Sequence, residues 1–148
     1  MNNLSHSRLY DQNTFYDAFL KDLRRAKSLV IIESPFITEK RMQVLLPILN
    51  KLRTKNIRII VNTKPFDEHE PTYREQAIWG VGIMQDMGID VLLTSGHHRK
   101  LAIIDDILWE GSLNILSQNN SCEIMRRTKS KGLVKEISRF IGLKKWMK

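Results

Sequence analysis

The chain has 148 residues, 24 of them Lys or Arg and 16 Asp or Glu, giving a formal charge of +8 with 42% hydrophobic residues. This length and balance describe a single globular domain over 1–148 and exclude disordered and fibrous classes. No apolar run approaches the roughly 20 residues of a membrane-spanning helix, the start of the chain lacks a basic-then-apolar signal pattern, and a lone cysteine, Cys122, excludes an internal disulfide.

A cytoplasmic protein with no stable membrane insertion is therefore expected. With the four histidines dispersed, no zinc-spaced cluster exists, and no metal or cofactor is expected.

In chain order, Thr14 to Ala26 carries Phe15, Phe19, Leu20 and Leu23 at helical spacing, with Lys21, Arg24 and Arg25 on the outer face. Leu29 to Ile32 is an apolar, largely β-branched run closed by Glu33-Ser34-Pro35, which predicts a buried strand and a turn. Thr38 can cap a helix from Glu39 to Arg53, where Met42, Leu45, Leu46, Ile48, Leu49 and Leu52 supply a core face and Pro47 a kink. Ile57 to Val61 reads as a strand, Thr63 to Thr72 as a loop, Tyr73 to Met87 as a helix and Asp90 to Leu93 as a strand. The alternation predicts an α/β fold with parallel strands whose ligands sit beyond their carboxyl ends.

Three further strands are expected at Lys100 to Ile104, Ile107 to Glu110 and Cys122 to Arg126, joined by short or irregular connections that make the β-sheet mixed. A final amphipathic helix, Lys131 to Trp146, would turn Leu133, Ile137, Phe140, Ile141 and Trp146 inward.

The segment with chemical content is His98-Arg99-Lys100-Leu101-Ala102-Ile103-Ile104-Asp105, followed by Gly111-Ser112-Leu113-Asn114, an H-x-K-x4-D and then a G-S-x-N. It resembles the HKD signature of the phospholipase D superfamily, phosphodiesterases and nucleases that work through a phosphohistidine. The resemblance extends over His98 to Glu123 and implies a phospholipase D-like half-domain, a mixed sheet flanked by helices. Five residues separate Asp105 from Gly111, where the family pattern more often has six.

In an extended strand His98 and Lys100 point to one face and Arg99 and Leu101 to the other, so a nucleophile and a cation share a site. Lys100 can neutralise a phosphate oxygen, and Ser112 and Asn114 beside Gly111 can donate hydrogen bonds to it. The resemblance to single-motif members implies that Glu123 accepts a hydrogen bond from the His98 imidazole. Asp105 lies seven residues on, roughly 23 Å along an extended strand, and so is expected to serve the turn rather than the phosphate. His97, on the opposite strand face, is read as supporting or surface. Cys122 is read as a small buried hydrophobe, Lys64 as a solvated lysine, and Trp109 and Trp146 as core or interface residues.

Cleavage through a covalent intermediate needs one histidine as nucleophile and a second, protonated, to supply the leaving alkoxide. Only one H-x-K is present, and a second half-domain does not fit in 148 residues. A homodimer sharing one active site satisfies the requirement, a heterodimer with another motif-bearing chain being the alternative. The expected activity is metal-independent, with a bell-shaped pH profile near neutrality.

The chain shows no apolar interfacial loop or lipid-sized insertion, and its minimal form resembles bacterial homodimeric endonucleases and nuclease modules of helicases or restriction proteins. A sequence-nonspecific DNA endonuclease is therefore favoured over RNA cleavage, a phospholipase D-type lipid phosphodiesterase or a non-cleaving nucleic-acid-binding or dimerisation module. Residues 125–148 hold nine basic residues and one acid, and the first 124 residues are neutral. Arg126, Arg127 and the final helix are thus either a guide for nucleic acid or a solvated helix face, with neither favoured.

Overall fold

The computed structural model describes residues 6–118 and 120–143. A seven-stranded mixed sheet forms the centre, comprising β1 (Ser7–Asp11), β2 (Leu29–Glu33), β3 (Arg58–Thr63), β4 (Asp90–Leu93), β5 (Leu101–Ile104), β6 (Ile107–Gly111) and β7 (Ile124–Lys129). In space the order is β1-β7-β6-β5-β2-β3-β4. Strands β2, β3 and β4 run parallel, and every other neighbouring pair is antiparallel.

Helices α1 (Phe15–Arg24), α2 (Glu39–Thr54) and α3 (Pro71–Asp86) cover one face, and α4 (Lys131–Phe140) covers the other. The period-two alternation of the central strands explains this three-layer build. Val30, Ile32, Ile59, Val61, Ala102 and Ile104 pack against Phe15, Phe19, Leu45, Leu49, Val81 and Met84. Ile31, Ile60, Leu101, Ile103 and Leu108 pack against Val134, Ile141 and Leu143. Trp109 is fully buried among Tyr10, Phe15 and Phe19, and its indole N–H donates to Asp22 at 2.9 Å. Asp22 also accepts from Nε and Nη2 of the Arg127 guanidinium, at 2.7 and 3.0 Å.

The β-α-β-α-β order stands where the sequence puts it, and the mixed character of the sheet agrees. Several particulars differ. Strand β1 was not expected, since Ser-Arg-Leu-Tyr-Asp holds no β-branched residue, and its extended form comes from pairing along β7. Strand β7 begins at Ile124, so Cys122 precedes it and is exposed, not buried.

Thr38 occupies the position before α2 without capping it, because its hydroxyl accepts from the Gln118 N–H, and Gln76 accepts from the Glu39 N–H instead. Helix α4 ends at Phe140, which is 80% exposed, because the apolar side chains just beyond it, Ile141 and Leu143, already fill that part of the core. Trp146 and the lysines at 144, 145 and 148 lie outside the described residues. No described helix is long and apolar enough to cross a membrane.

Candidate active site

The register brings the start of β5, the end of β6 and the start of β7 to one end of the sheet. Because Glu33 of β2 faces Leu101 in antiparallel pairing, this is also the carboxyl end of the parallel strands. His98, Lys100, Gly111, Ser112, Asn114 and Glu123, far apart in sequence, therefore converge on one rim. Asp105 lies at the other end, in the β5–β6 turn with φ of 53°. Its carboxylate accepts from the N–H groups of Lys27, Ser28 and Leu29 and from the Ser28 hydroxyl, at 2.8 to 3.1 Å. Burial alone raises this carboxyl, but the four hydrogen bonds outweigh it and hold the group below the usual carboxylate range.

His98 and Lys100 do not lie within the strand, since β5 begins at Leu101. The ladder stops there because β2 ends at Glu33 and the chain turns away through Ser34 and Pro35. The His98 ring is exposed, and Lys100 donates to the His98 carbonyl at 2.8 Å. Arg99 takes the opposite direction and pairs with Glu33, fully buried, at 2.8 and 3.1 Å.

Glu33 also accepts from the Asn62 amide at 2.8 Å, and Asn62 in turn accepts from the Thr94 hydroxyl at 2.7 Å. This chain ties the ends of β2, β3 and β4 to the residue between His98 and Lys100. His97 is 4% exposed; its burial pushes the imidazole pKa down, against the opposing pull of Glu33. A second tether comes from Glu68, in the 3-10 turn Phe66–Glu68, whose carboxylate accepts from the Gly96 N–H at 2.9 Å and the Ser95 hydroxyl at 2.8 Å.

Gly111 is fixed by close approach, since a Cβ there would sit 2.1 Å from the Ile124 carbonyl oxygen and 2.9 Å from the Met125 Cα. The Ser112 hydroxyl accepts from the Ile124 N–H at 3.0 Å, which joins β6 to β7 beside Glu123. Glu123 is half-buried, and its N–H donates to the Gln12 side chain at 2.9 Å. The Asn114 side-chain oxygen is buried without a hydrogen-bond partner among the described residues.

Arg127 is held by Asp22, which leaves Arg126, on the other face of β7, exposed and donating to the Ser7 hydroxyl at 2.7 Å. Lys64 is buried rather than solvated, its ammonium 3.9 Å from the centre of the Phe36 ring. Among the described residues no three His, Cys, Asp or Glu side chains gather as a metal-binding group. The sequence reading missed Glu33, Asn62 and Thr94. The available signal was a polar residue closing an otherwise apolar strand, as Glu33 closes Leu29–Ile32.

The family model described as cardiolipin synthase, PLD-like domain, matches residues 19–143. Comparison with curated proteins finds no match. Among solved structures, NucT from Helicobacter pylori superposes with a TM-score of 0.71 at 18% identity, covering 90% of this chain and 91% of its own. Nuc from Salmonella typhimurium, a phospholipase D family member, superposes at 0.73 with 13% identity, covering 90% of each chain. Polyphosphate kinase from Porphyromonas gingivalis shares the same architecture at 0.72 and 13% identity, over 94% of this chain and 26% of its own. At these identities the likeness is one of fold.

Proposed function

The chain belongs to the phospholipase D-like family of phosphodiester-bond enzymes, and from that premise we propose that it is a metal-independent, sequence-nonspecific DNA endonuclease acting at a site shared by two copies. The observation that carries the reading is the exposed His98 ring on a doubly tethered segment, with Lys100 turned to the His98 carbonyl.

In the first step a nitrogen of one His98 forms a bond to phosphorus. The P–O bond to the leaving group breaks, and the protonated His98 of the second copy gives its proton to the departing alkoxide. In the second step water attacks phosphorus, its proton passes to the second histidine, and the N–P bond breaks to return the first.

Lys100 from each copy neutralises the non-bridging oxygens, the task a divalent ion performs elsewhere. Glu123 orients the imidazole, and Ser112 and Asn114 line the phosphate. Gly111 keeps β6 against β7, and Asp105 holds the far turn.

Plasmid nicking in EDTA by a chromatographically defined dimer tests the reading. Nicking is expected to persist in chelator, follow a bell-shaped pH profile, and fall by at least about a thousandfold in His98→Ala. Loss of activity in EDTA, or undiminished nicking by His98→Ala, rejects it. Headgroup release from phospholipid vesicles without DNA cleavage assigns a lipid substrate instead.

A further inference from the structure

Beyond the motif the chain builds a feature that no step of the cleavage chemistry uses. The irregular segment after β6 is pinned to the rim by the Tyr16 hydroxyl, which donates to the Ile115 carbonyl at 2.7 Å, and by the Gln118 N–H, which donates to Thr38 at 2.8 Å. Between this segment, the β1–α1 turn and α2 opens a cavity of about 390 Å³, lined chiefly by Gln12, Asn13, Tyr16, Arg41, Ser117 and Gln118. It adjoins the candidate active site, because the Gln12 side-chain oxygen receives the N–H of Glu123 and the Tyr16 hydroxyl lies 3.3 Å from the Asn114 carbonyl.

The lining specifies a class of ligand. Among the described residues that line the cavity there is no carboxylate, and Arg41 is its one charged side chain, which favours an anionic chain over a cationic headgroup. Arg41 sits over the Tyr16 ring, its guanidinium carbon 3.4 Å from the ring centre, and hydrogen-bonds the Gln118 oxygen. Its Nε is buried with no acceptor among the described residues.

The oxygens of Gln12 and Gln118 are thus engaged, and their NH2 groups remain as donors. Asn13 adds both a donor and an acceptor. A phosphate oxygen can only accept, whereas the edge of a nucleobase both donates and accepts. Carboxamides beside a guanidinium held over an aromatic ring form a setting suited to a flat heterocycle, and the volume falls within the range of small-molecule sites.

We propose that this cavity receives an unpaired nucleobase flanking the scissile phosphate, which makes single-stranded DNA the preferred substrate. The inference rests on the nuclease reading above. A base paired within a duplex must leave its stack before it can enter such a pocket, and that unstacking is absent from a single strand.

The test compares three substrates of equal length: a single-stranded oligonucleotide, the same strand annealed to its complement, and a tetrahydrofuran backbone that keeps every phosphodiester but carries no base. The intact single strand is expected to exceed both others in kcat/KM by about tenfold or more. Arg41→Gln and Asn13→Ala are expected to draw the intact-to-abasic ratio towards one.

Equal cleavage of all three by the wild-type protein, with none by His98→Ala, overturns the base site and leaves the phosphodiesterase standing. Cleavage of none of the three by the wild-type protein overturns both.

Discussion

Gly111 shows how tightly one position can be set. A methyl group there meets the backbone of β7, which cannot yield without moving the start of that strand and Glu123 with it. Gly111→Ala is therefore expected to destabilise the fold by about 1–3 kcal/mol, read as a lower urea midpoint, and to depress activity beyond the stability loss.

A second expectation concerns acid. His69, 3% exposed beside Phe36, and His97 are buried imidazoles whose pKa values burial pushes below the ordinary histidine value. A depressed pKa means that the unfolded chain binds the proton first, so stability is full above the unfolded value near 6.5 and declines as pH falls through the folded values. Urea midpoints are expected to drop between pH 7.5 and 5, and His69→Leu to flatten that slope. An unchanged slope in His69→Leu removes His69 from the explanation.

At the scale of elements, α4 is the sole described helix on its face of the sheet, and its Val134 together with Ile141 just beyond it caps the second core. Ile141→Ala is expected to cost about 2–5 kcal/mol by thermal or urea denaturation, with α1 to α3 contributing nothing to offset it.

The legible elements were those whose sequence carries its own period. Leu29–Ile32 and the face from Met42 to Leu52 announce themselves because burial on both sides of a strand, or on one side of a helix, dictates the residue types. Strand β1 was illegible because its partner is remote and its own residues are polar or half-exposed. The site divided in the same way. The residues from His98 to Asn114 lie in one readable run, whereas Glu33, Asn62 and Thr94 join it through the sheet, at strand ends that no local pattern connects. Lys64 was misread for a related reason, as nothing nearby in sequence announces that Phe36 covers it.

At the scale of the whole molecule, the single histidine of the motif requires a second copy for the proposed chemistry. Sedimentation is expected to give a dimer at assay concentration, and mixing with excess His98→Ala chains to suppress activity through mixed dimers. DNA affinity is expected to fall steeply between 50 and 200 mM salt, in proportion to the phosphates neutralised, as a gel-shift series will show. Arg126→Ala is expected to reduce that slope more than Arg127→Ala, because Asp22 already holds Arg127.

The pairing of β1 with β7 also governs the order of events in folding. The hydroxyls of Ser7 and Thr128 meet across 121 positions of sequence, so the outer edge of the sheet closes only after nearly all of the described chain is available. Contacts of such separation carry a large loop-closure cost and slow the search for the native state. Pulse-labelled amide exchange during refolding is therefore expected to protect β2 and β3 early and β1 last. Until then β7 presents an unpaired edge to any other strand in solution, and crowded refolding favours aggregation at that edge.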